Sequence, residues 1–328
     1  MNKQALDLLW VELDSALSNV PDEIRRLFHG RGRCWEGLEQ LTVDWLQGQL
    51  VVNLFKPVDE EFLTHLKSGL ITFSQSDTAK SRGLSTILLQ HRYQDGAPFE
   101  SILGEPNLRP VVIESGLKYQ LELGKNQNFG LFLDMRNGRD WVRKRASNKT
   151  VLNLFAYTCG FSVAAIEGGA DKVVNVDMAK SSLSRGRDNH KLNGHNVNAV
   201  SFMGHDIFKS WGKIKKNGPY DLIVIDPPSF QKGSFALTKD YQKILRRLPS
   251  LLADNGEVLA CVNSPSVTPE FLIDGMKAEA PELAFQYRLE NPPEFKDKDE
   301  NASLKALVFF KRVPSKKALI WKNCSVLS

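Results

Sequence analysis

Cysteine is scarce in this sequence. Its four cysteines, Cys34, Cys159, Cys261 and Cys324, lie far apart, and no two of them form a Cys-x-x-Cys pair. This spacing argues against a zinc site and against a disulfide framework in a chain of this length. We therefore expect no bound metal and a reducing compartment.

Long apolar runs are also missing. No window reaches the roughly 18 consecutive apolar residues of a membrane helix, and residues 1–7 lack the apolar core of a signal peptide. We therefore predict a soluble, cytoplasmic protein without a membrane partner.

Charge of one sign is barely in excess. The 43 basic and 38 acidic side chains leave a formal net charge of +5, which permits RNA binding but does not require it. The apolar and charged fractions, 42% and 25%, are typical of a globular protein. Because 328 residues exceed what one core usually holds, we start from two domains.

Residues 1–110 are predicted to form a small α+β domain. Apolar side chains at helical spacing indicate a helix over 4–18, and 25–33 is predicted to be a basic, glycine-containing loop. Two apolar runs on either side of Gln47-Gly48 indicate a hairpin. The remaining predicted elements are a helix near 58–68, a strand near 86–92 and a linker over 95–112.

Residues 111–328 are predicted to form a second, larger domain. Strands are expected over 118–123 and 129–133, and a basic helix over 138–148. From Thr150, short apolar runs alternate with helical stretches, which indicates a doubly wound α/β fold with a mostly parallel sheet. The runs expected to be strands are 151–155, 173–176, 197–202, 222–225, 258–262, 285–289 and 307–310.

The first candidate site follows the strand at 151–155. Its loop, Thr158-Cys159-Gly160-Phe161, leads into a helix. A tight loop with a glycine lets a ligand approach backbone N–H groups closely. Only one glycine is present where the dinucleotide fingerprint has three, which counts against NAD.

Two acids follow the next two runs. Asp177 comes about twenty residues after the loop, where a carboxylate can accept hydrogen bonds from ribose hydroxyls. Asp206 follows the run at 197–202 and could accept from an adenine amino group. For both acids the alternative is a capping role at the start of the following helix.

An acid followed by two prolines ends the run at 222–225. Because proline cannot donate to a strand ladder, the strand must stop at Asp226-Pro227-Pro228, leaving the carboxylate and a proline carbonyl as fixed acceptors. Phe230 could stack on a base. The alternative is a plain turn, but ligands bind outside the carboxyl ends of parallel strands.

Other features are weaker. Cys261 lies within an apolar run and is predicted to be a core residue. Two basic stretches, 136–145 and 209–216, are typical of solvated faces, although their position beside one predicted pocket modestly favours RNA.

Together, four segments resemble the bacterial 23S rRNA methyltransferases of the large-subunit type, a family with cytosine-C5 and guanosine-N7 members. The segments are 129–136 (FGLFLDMR), 152–158 (LNLFAYT), 175–178 (NVDM) and 226–230 (DPPSF). The likeness extends from about residue 112 to 312. It is faint in the N-terminal region, where residues 38–55 look like the small α+β domain of the cytosine-C5 members.

The resemblance implies a Rossmann-like class I methyltransferase fold and S-adenosylmethionine (SAM) as the cofactor. The implied sheet has seven mostly parallel strands, the last one antiparallel. Phe132 and Asp134 would close over the cofactor, and Asp226 would lie at its reacting end. Residues implied at the methionine end are Asn153, Phe155, Tyr157, Thr158 and Gly160, and those implied at the ribose and adenine are Asp177, Met178 and Asp206.

One position departs from the cytosine-C5 members. Cytosine-C5 transfer needs a cysteine thiolate to attack the ring, and in those members the cysteine follows the fifth strand in a Ser-Cys-Ser setting. Here Asn263 occupies that position and Cys261 lies two residues earlier. This resembles the guanosine-N7 branch, in which the base nitrogen already carries a lone pair and needs only to be positioned.

The sequence thus predicts methyl transfer to a nucleobase, in rRNA, by direct attack of a ring or exocyclic nitrogen. The predicted catalytic residues are Asp226, Pro227 and Asn263, and the predicted substrate contacts are Phe230 and Arg136. The alternatives are a protein or small-molecule acceptor, cysteine-dependent cytosine-C5 methylation of RNA, and a cofactor-binding module without catalysis. The sequence does not indicate an oligomeric state.

Overall fold

The computed structural model describes residues 3–124, 127–228, 230–231 and 235–311 of the chain. Two sheets dominate this part of the chain, one of five strands near the N-terminus and one of seven strands that begins at Thr150. A short hairpin within residues 111–120 connects them.

The five-stranded sheet contains one parallel pair, and its other neighbouring strands are antiparallel. In spatial order its strands are β1 (Arg25–His29), β2 (Leu41–Trp45), β3 (Gln49–Leu54), β4 (Thr86–His91) and β5 (Phe99–Leu103). The parallel pair is β3 with β4. The predicted hairpin is confirmed by β2 and β3, and the strand predicted near 86–92 by β4.

Three helices accompany this sheet: α1 (Leu6–Asn19), α2 (Glu60–Ser74) and α3 (Asp77–Ser81). The buried leucines of α1 recur every three or four residues, so one apolar stripe faces the sheet. The α2 helix begins at Asp59, whose carboxylate accepts a hydrogen bond from the backbone N–H of Phe62 at 2.7 Å. One face of the sheet and these helices share a single apolar core.

Three predictions about local structure are wrong. The predicted loop at 25–33 contains β1, whose charged side chains hide a strand that pairs with β2. The predicted linker at 95–112 contains β5, because Gly96 and Ala97 have φ of 76° and 47° and turn the chain back along β4. The predicted strand at 129–133 is irregular, since Gly130 has φ of 119° and a 3-10 turn follows at Leu133–Met135.

The connecting hairpin consists of β6 (Val111–Glu114) and β7 (Leu117–Gln120), and α4 (Arg136–Arg145) follows it. The other face of the five-stranded sheet buries Val51 and Leu88 against this hairpin and against residues that include Leu131 and Val163. The N-terminal sheet is therefore packed against the larger unit.

The seven-stranded sheet alternates strands with helices, as predicted. In chain order, the first elements of this unit are β8 (Thr150–Leu154), α5 (Gly160–Glu167), β9 (Lys172–Asp177), α6 (Lys180–Leu192), β10 (Val200–Gly204), α7 (Trp211–Asn217) and β11 (Tyr220–Ile225). Two two-residue strands follow, β12 (Phe230–Gln231) and β13 (Phe235–Ala236), which pair with each other outside the seven-stranded sheet. The remaining elements are α8 (Leu237–Leu245), α9 (Leu248–Leu251), β14 (Leu252–Val262), α10 (Glu270–Glu279), β15 (Leu283–Arg288) and β16 (Lys305–Lys311).

The strand order is β10-β9-β8-β11-β14-β16-β15. The first five strands are parallel to one another, and β16 is antiparallel to both β14 and β15. This confirms the predicted α/β class with a mostly parallel, seven-stranded sheet and an antiparallel last strand. The reversal of strand order at β8 and β11 opens a crevice at their carboxyl ends.

The apolar runs become central strands because both faces of the sheet are covered. Leu222 and Val224 enter the core on one face, and Ile223 and Ile225 enter the core on the other. Among the described residues, no helix is long and apolar enough to cross a membrane.

Candidate active site

A cavity of about 500 Å³ lies at the carboxyl ends of the parallel strands. Its walls come mainly from the segments that follow β8, β9, β10, β11 and β14, together with residues before and within α4. The lining includes twelve of the predicted site residues: Phe132, Asp134, Phe155, Tyr157, Thr158, Gly160, Asp177, Met178, Asp206, Asp226, Pro227 and Asn263.

The loop after β8 has an unusual backbone. Phe155, Tyr157 and Cys159 have φ of 58°, 48° and 63°, a left-handed conformation that side chains other than glycine rarely adopt. Thr158 secures the loop because its hydroxyl donates to the carbonyl of Gly130. Strained residues of this kind cluster at ligand sites, where the surrounding structure maintains them.

Asp177 is held in place at the end of β9. Its Oδ2 accepts from the backbone N–H of Tyr157 at 2.8 Å, and its Oδ1 accepts from the backbone N–H of Ala179 at 2.8 Å. A carboxylate has about four acceptor positions, so lone pairs remain available on both oxygens. The next residue, Met178, is 51% exposed and also lines the cavity.

Asp206 has the capping role that the sequence left open. Its Oδ1 accepts from the backbone N–H of Phe208 at 2.8 Å, at the start of a 3-10 turn. The same side chain lines the cavity, so capping orients an acid toward the space beside Phe208. Capping and ligand contact are therefore compatible here.

Two acids and an amide meet at the inner end of the cavity. The side-chain Nδ2 of Asn263 donates to Oδ2 of Asp134 at 2.9 Å. Burial, and to a smaller extent the nearby charge of Asp134, raise the pKa of Asp226 from 3.8 to about 7, while Arg139 acts in the opposite direction. Burial also raises the pKa of Asp134, with Arg26 and Arg139 acting in the opposite direction.

A buried ion pair supports these acids. Arg139 donates from Nε and Nη2 to the carboxylate of Glu114 at 2.6 and 2.7 Å, and its Nη2 also donates to the carbonyl of Phe132 at 2.9 Å. Both side chains are almost fully buried, at 4% and 3% exposure. The guanidinium therefore fixes the segment that carries Phe132 and Asp134.

This arrangement can hold a cation or a polar group that donates hydrogen bonds. Four carboxylates, from Asp134, Asp177, Asp206 and Asp226, line a cavity whose other walls are largely apolar. A buried carboxyl group with a pKa near 7 can accept a proton from a bound reactant near neutral pH. Among the described residues, no group of three or more His, Cys, Asp or Glu side chains could hold a metal ion.

Two predicted site residues do not line the cavity. Asn153 lies in the interior of β8, where the period-two alternation directs it toward α5, and its Nδ2 donates to Oδ1 of Asn175 at 2.9 Å. Arg136 binds both carboxylate oxygens of Glu294, at 2.7 and 2.8 Å. Phe230 belongs to β12, and the prediction for its side chain lies outside the described part of the structure.

Several lining residues were not predicted to be at the site. Arg139 belongs to a basic stretch whose pattern predicts a solvated face, and its partner Glu114 is 25 positions away. Asn128 accepts from the Tyr157 hydroxyl through its carbonyl at 3.4 Å and lines the rim. Phe208 also lines the cavity. Its position two residues after Asp206, an acid that follows a strand, is the sequence feature that could have indicated a place at the site.

Cys261 is fully buried in β14, as predicted, and does not line the cavity. Burial raises the pKa of its thiol well above 9.0, and the charges of Asp226 and Asp134 add to this effect. A thiol in that setting stays protonated and is a poor nucleophile.

Comparisons with known proteins match most of the chain. Residues 25–310 match a family model described as S-adenosylmethionine-dependent methyltransferase. The chain is 39% identical over 238 residues to ribosomal RNA large subunit methyltransferase I of Aeromonas salmonicida, covering 68% of this chain and 57% of that protein. It is 32% identical over 249 residues to YwbD of Bacillus subtilis, covering 73% and 60%. The chain thus spans less than two thirds of either relative.

The fold also has a solved counterpart. The structure of SMU.776 complexed with SAH (S-adenosylhomocysteine) has a TM-score of 0.81 and 23% sequence identity to this protein. The match covers 94% of this chain and 82% of that chain. Because the sequence identity is low, this similarity establishes the shared fold alone.

Proposed function

The chain belongs to the S-adenosylmethionine-dependent methyltransferase family, and from this premise we propose that it methylates a nitrogen atom of a nucleobase in ribosomal RNA. The relatives named for large-subunit rRNA methylation support the acceptor class. The observation that carries the chemistry is that Asp226 and Asn263 line the same cavity, whose described lining residues include no cysteine.

The cavity fits SAM. The lone pairs that remain on Asp177 suit the ribose hydroxyls, Met178 and Phe208 offer apolar surface for the adenine, and Asp206 offers an acceptor for its amino group. The carboxylates of Asp134 and Asp226 suit a positively charged sulfonium. When bound, SAM supplies an electrophilic methyl group, and the residues of the chain position the acceptor.

Asp226 is the residue to which we assign acceptor positioning and proton uptake. Its carboxylate can accept a hydrogen bond from an amino or ring N–H, which positions the base. Where the attacking nitrogen carries a hydrogen, as an exocyclic amino group does, the pKa of about 7 lets Asp226 take the proton released on methylation, whereas a ring nitrogen with a free lone pair releases none. The carbonyl of Pro227 provides a second fixed acceptor. Asn263 is held by Asp134 at 2.9 Å and can orient the base without forming a covalent bond.

The buried thiol of Cys261 supports direct attack by nitrogen over the cysteine-dependent route. A cytosine-C5 mechanism needs a thiolate beside the ring. Cys261 lies in the core and its pKa is raised well above 9.0.

The two-domain division is part of this proposal. Residues 1–110, with the five-stranded sheet, would contribute to substrate recognition, and residues 111–328 would bind SAM and carry out the transfer. Phe230, next to the Asp226-Pro227-Pro228 turn, is proposed as a stacking surface for the base.

The test compares two substitutions in the full chain. Asp226→Asn should abolish transfer of a labelled methyl group to protein-free rRNA while SAH binding, measured by calorimetry, stays within a few-fold. Cys261→Ser should retain transfer. A Cys261→Ser protein that folds and binds SAH but is inactive would overturn the direct mechanism, and an absence of transfer to any rRNA by the wild-type protein would overturn the proposed acceptor.

A further inference from the structure

Three strands of the N-terminal sheet end at one edge. β1 and β3 are each antiparallel to β2, so they run in the same direction, and β4 is parallel to β3. The residues that follow these strands therefore meet at the same edge. They are Arg31 after β1, Phe55 after β3 and Arg92 after β4, and we call them the edge cluster.

The side chains of the edge cluster are in contact. The guanidinium carbon of Arg31 lies 4.2 Å from the centre of the Phe55 ring, and that of Arg92 lies 4.8 Å from it. Such cation–π contacts hold flexible arginine side chains in defined orientations. The ring thus keeps two forked donors close together, with Arg31 exposed to solvent and Arg92 partly buried.

Around the edge cluster, the described residues include more arginine side chains than carboxylates. The nearby carboxylate, Asp44, is fully buried and forms an ion pair with Arg26, and Arg92 donates from Nη2 to the neutral side chain of Asn128 at 3.0 Å. Burial lowers the pKa of Arg92 from 12.5 to about 10; Asp44 opposes this decrease, while Arg31 and Arg26 contribute to it. An anion placed between the two guanidinium groups would relieve this repulsion.

The edge cluster lies beside the active-site cavity. Asn128, which accepts the hydrogen bond from Arg92, also lines the cavity and accepts one from Tyr157. The neighbouring Arg26 lies close enough to Asp134 to lower the pKa of that acid. A polymer whose base enters the cavity would therefore extend past Asn128 toward the edge cluster.

We propose that Arg31 and Arg92, held by Phe55, bind a backbone phosphate of the RNA strand whose base enters the cavity. This inference rests on the proposed function, because it assigns the N-terminal sheet a place in recognising the same substrate. Paired guanidinium forks match phosphate oxygens geometrically. The contact involves only the sugar–phosphate backbone, so it positions the strand without reading its sequence.

The test measures the affinity of the full chain for a fluorescein-labelled, mixed-sequence, single-stranded oligoribonucleotide at several salt concentrations. Each phosphate contact with a single strand contributes about 0.7 to the slope of log K against log salt concentration. Arg31→Gln with Arg92→Gln removes the contact with this one phosphate and should therefore reduce the slope by about 0.7. This corresponds to a roughly fivefold weaker complex at about 0.1 M salt, and the difference should vanish toward 1 M.

Matched variants separate geometry from net charge. Lys80→Gln removes one exposed charge from α3, in the helical layer of the N-terminal sheet, and should change affinity by less than twofold. Arg31→Lys with Arg92→Lys keeps both charges but loses the forks, so it should recover only part of the affinity. SAH affinity, measured in parallel, should be the same in all variants.

Several outcomes would overturn the inference. If the wild-type chain binds the RNA and the double Gln variant retains its affinity and salt slope, the edge cluster binds no phosphate, while the proposed function stands. The RNA assignment also fails if polyglutamate competes as well as unlabelled RNA. If the wild-type chain binds SAH but no RNA, the proposed function fails as well.

Discussion

Asp226→Asn should make the ligand-free protein more stable at alkaline pH, although it removes a residue proposed to be essential. Asp226 has a pKa of about 7 in the folded protein, against 3.8 for an unperturbed aspartate. The difference is about three pKa units, and each unit is worth about 1.36 kcal/mol. Ionising Asp226 in the folded chain therefore costs up to about 4 kcal/mol.

The sign of the pH dependence follows from proton linkage. Between pH 3.8 and about 7 the folded protein holds a proton on Asp226 that the unfolded chain has released, so stability decreases as pH rises through this range. The full penalty applies above about pH 8. Asparagine carries no charge at any pH, so Asp226→Asn removes this pH dependence.

The assay is urea denaturation of both proteins, without ligand, at about pH 5 and about pH 8.5. Allowing for relaxation of the site, the variant should be more stable by about 2 to 4 kcal/mol at the higher pH, and by less than half of that at the lower pH. The exposed acid Asp274 on α10 provides the control, because Asp274→Asn should produce no such pH-dependent gain. An advantage of Asp226→Asn that is constant or shrinks as pH rises would refute the assigned burial.

Three further predictions concern other residues of the site. Arg139→Gln should destabilise the fold by about 3–5 kcal/mol in urea denaturation, because it leaves buried Glu114 without its partner; the double variant with Glu114→Gln should recover much of this loss, and a simple sum of the two single effects would contradict the pairing. Asn153→Ala should leave the Kd for SAH within about threefold, because the side chain bonds to Asn175 outside the cavity; a tenfold loss in calorimetry would restore it as a direct contact. Asp177→Asn should weaken SAH binding by about tenfold or more, because one oxygen that accepts a backbone N–H becomes a donor; unchanged binding would remove Asp177 from the cofactor site.

The sequence was most informative where the determinants are local. The apolar run at 222–225 followed by two prolines predicted both the end of β11 and the location of Asp226 at the cavity. The alternation of strands and helices after Thr150 predicted the parallel sheet, and the carboxyl ends of parallel strands share one edge.

Contacts between distant segments were not predictable in the same way. Arg136 and Arg139 look alike in the sequence, yet Arg136 binds Glu294, 158 positions away, while Arg139 binds Glu114 and lines the cavity. Asn153 belongs to a segment with the family pattern, but its direction depends on the alternation within β8. A one-residue difference in position along a strand decides whether a side chain faces a ligand or a helix.

The edge cluster illustrates the same limit. No sequence pattern connects Arg31, Phe55 and Arg92, which follow three different strands. Their contact depends on the register of β3 and β4 and on the direction of β1. This geometry requires residues 25–29 to form a strand. The basic side chains of that segment predict a loop instead, so the sequence does not reveal the cluster.

The most direct measurement of the central claim is the identity of the methylated nucleoside. Protein-free rRNA is incubated with the full chain and SAM that carries a mass-labelled methyl group, then digested to nucleosides and analysed by mass spectrometry against N-methylated and C-methylated standards. We predict that the label appears on a base nitrogen and that Asp226→Asn eliminates it. Label in 5-methylcytidine, lost with Cys261→Ser, would contradict the account.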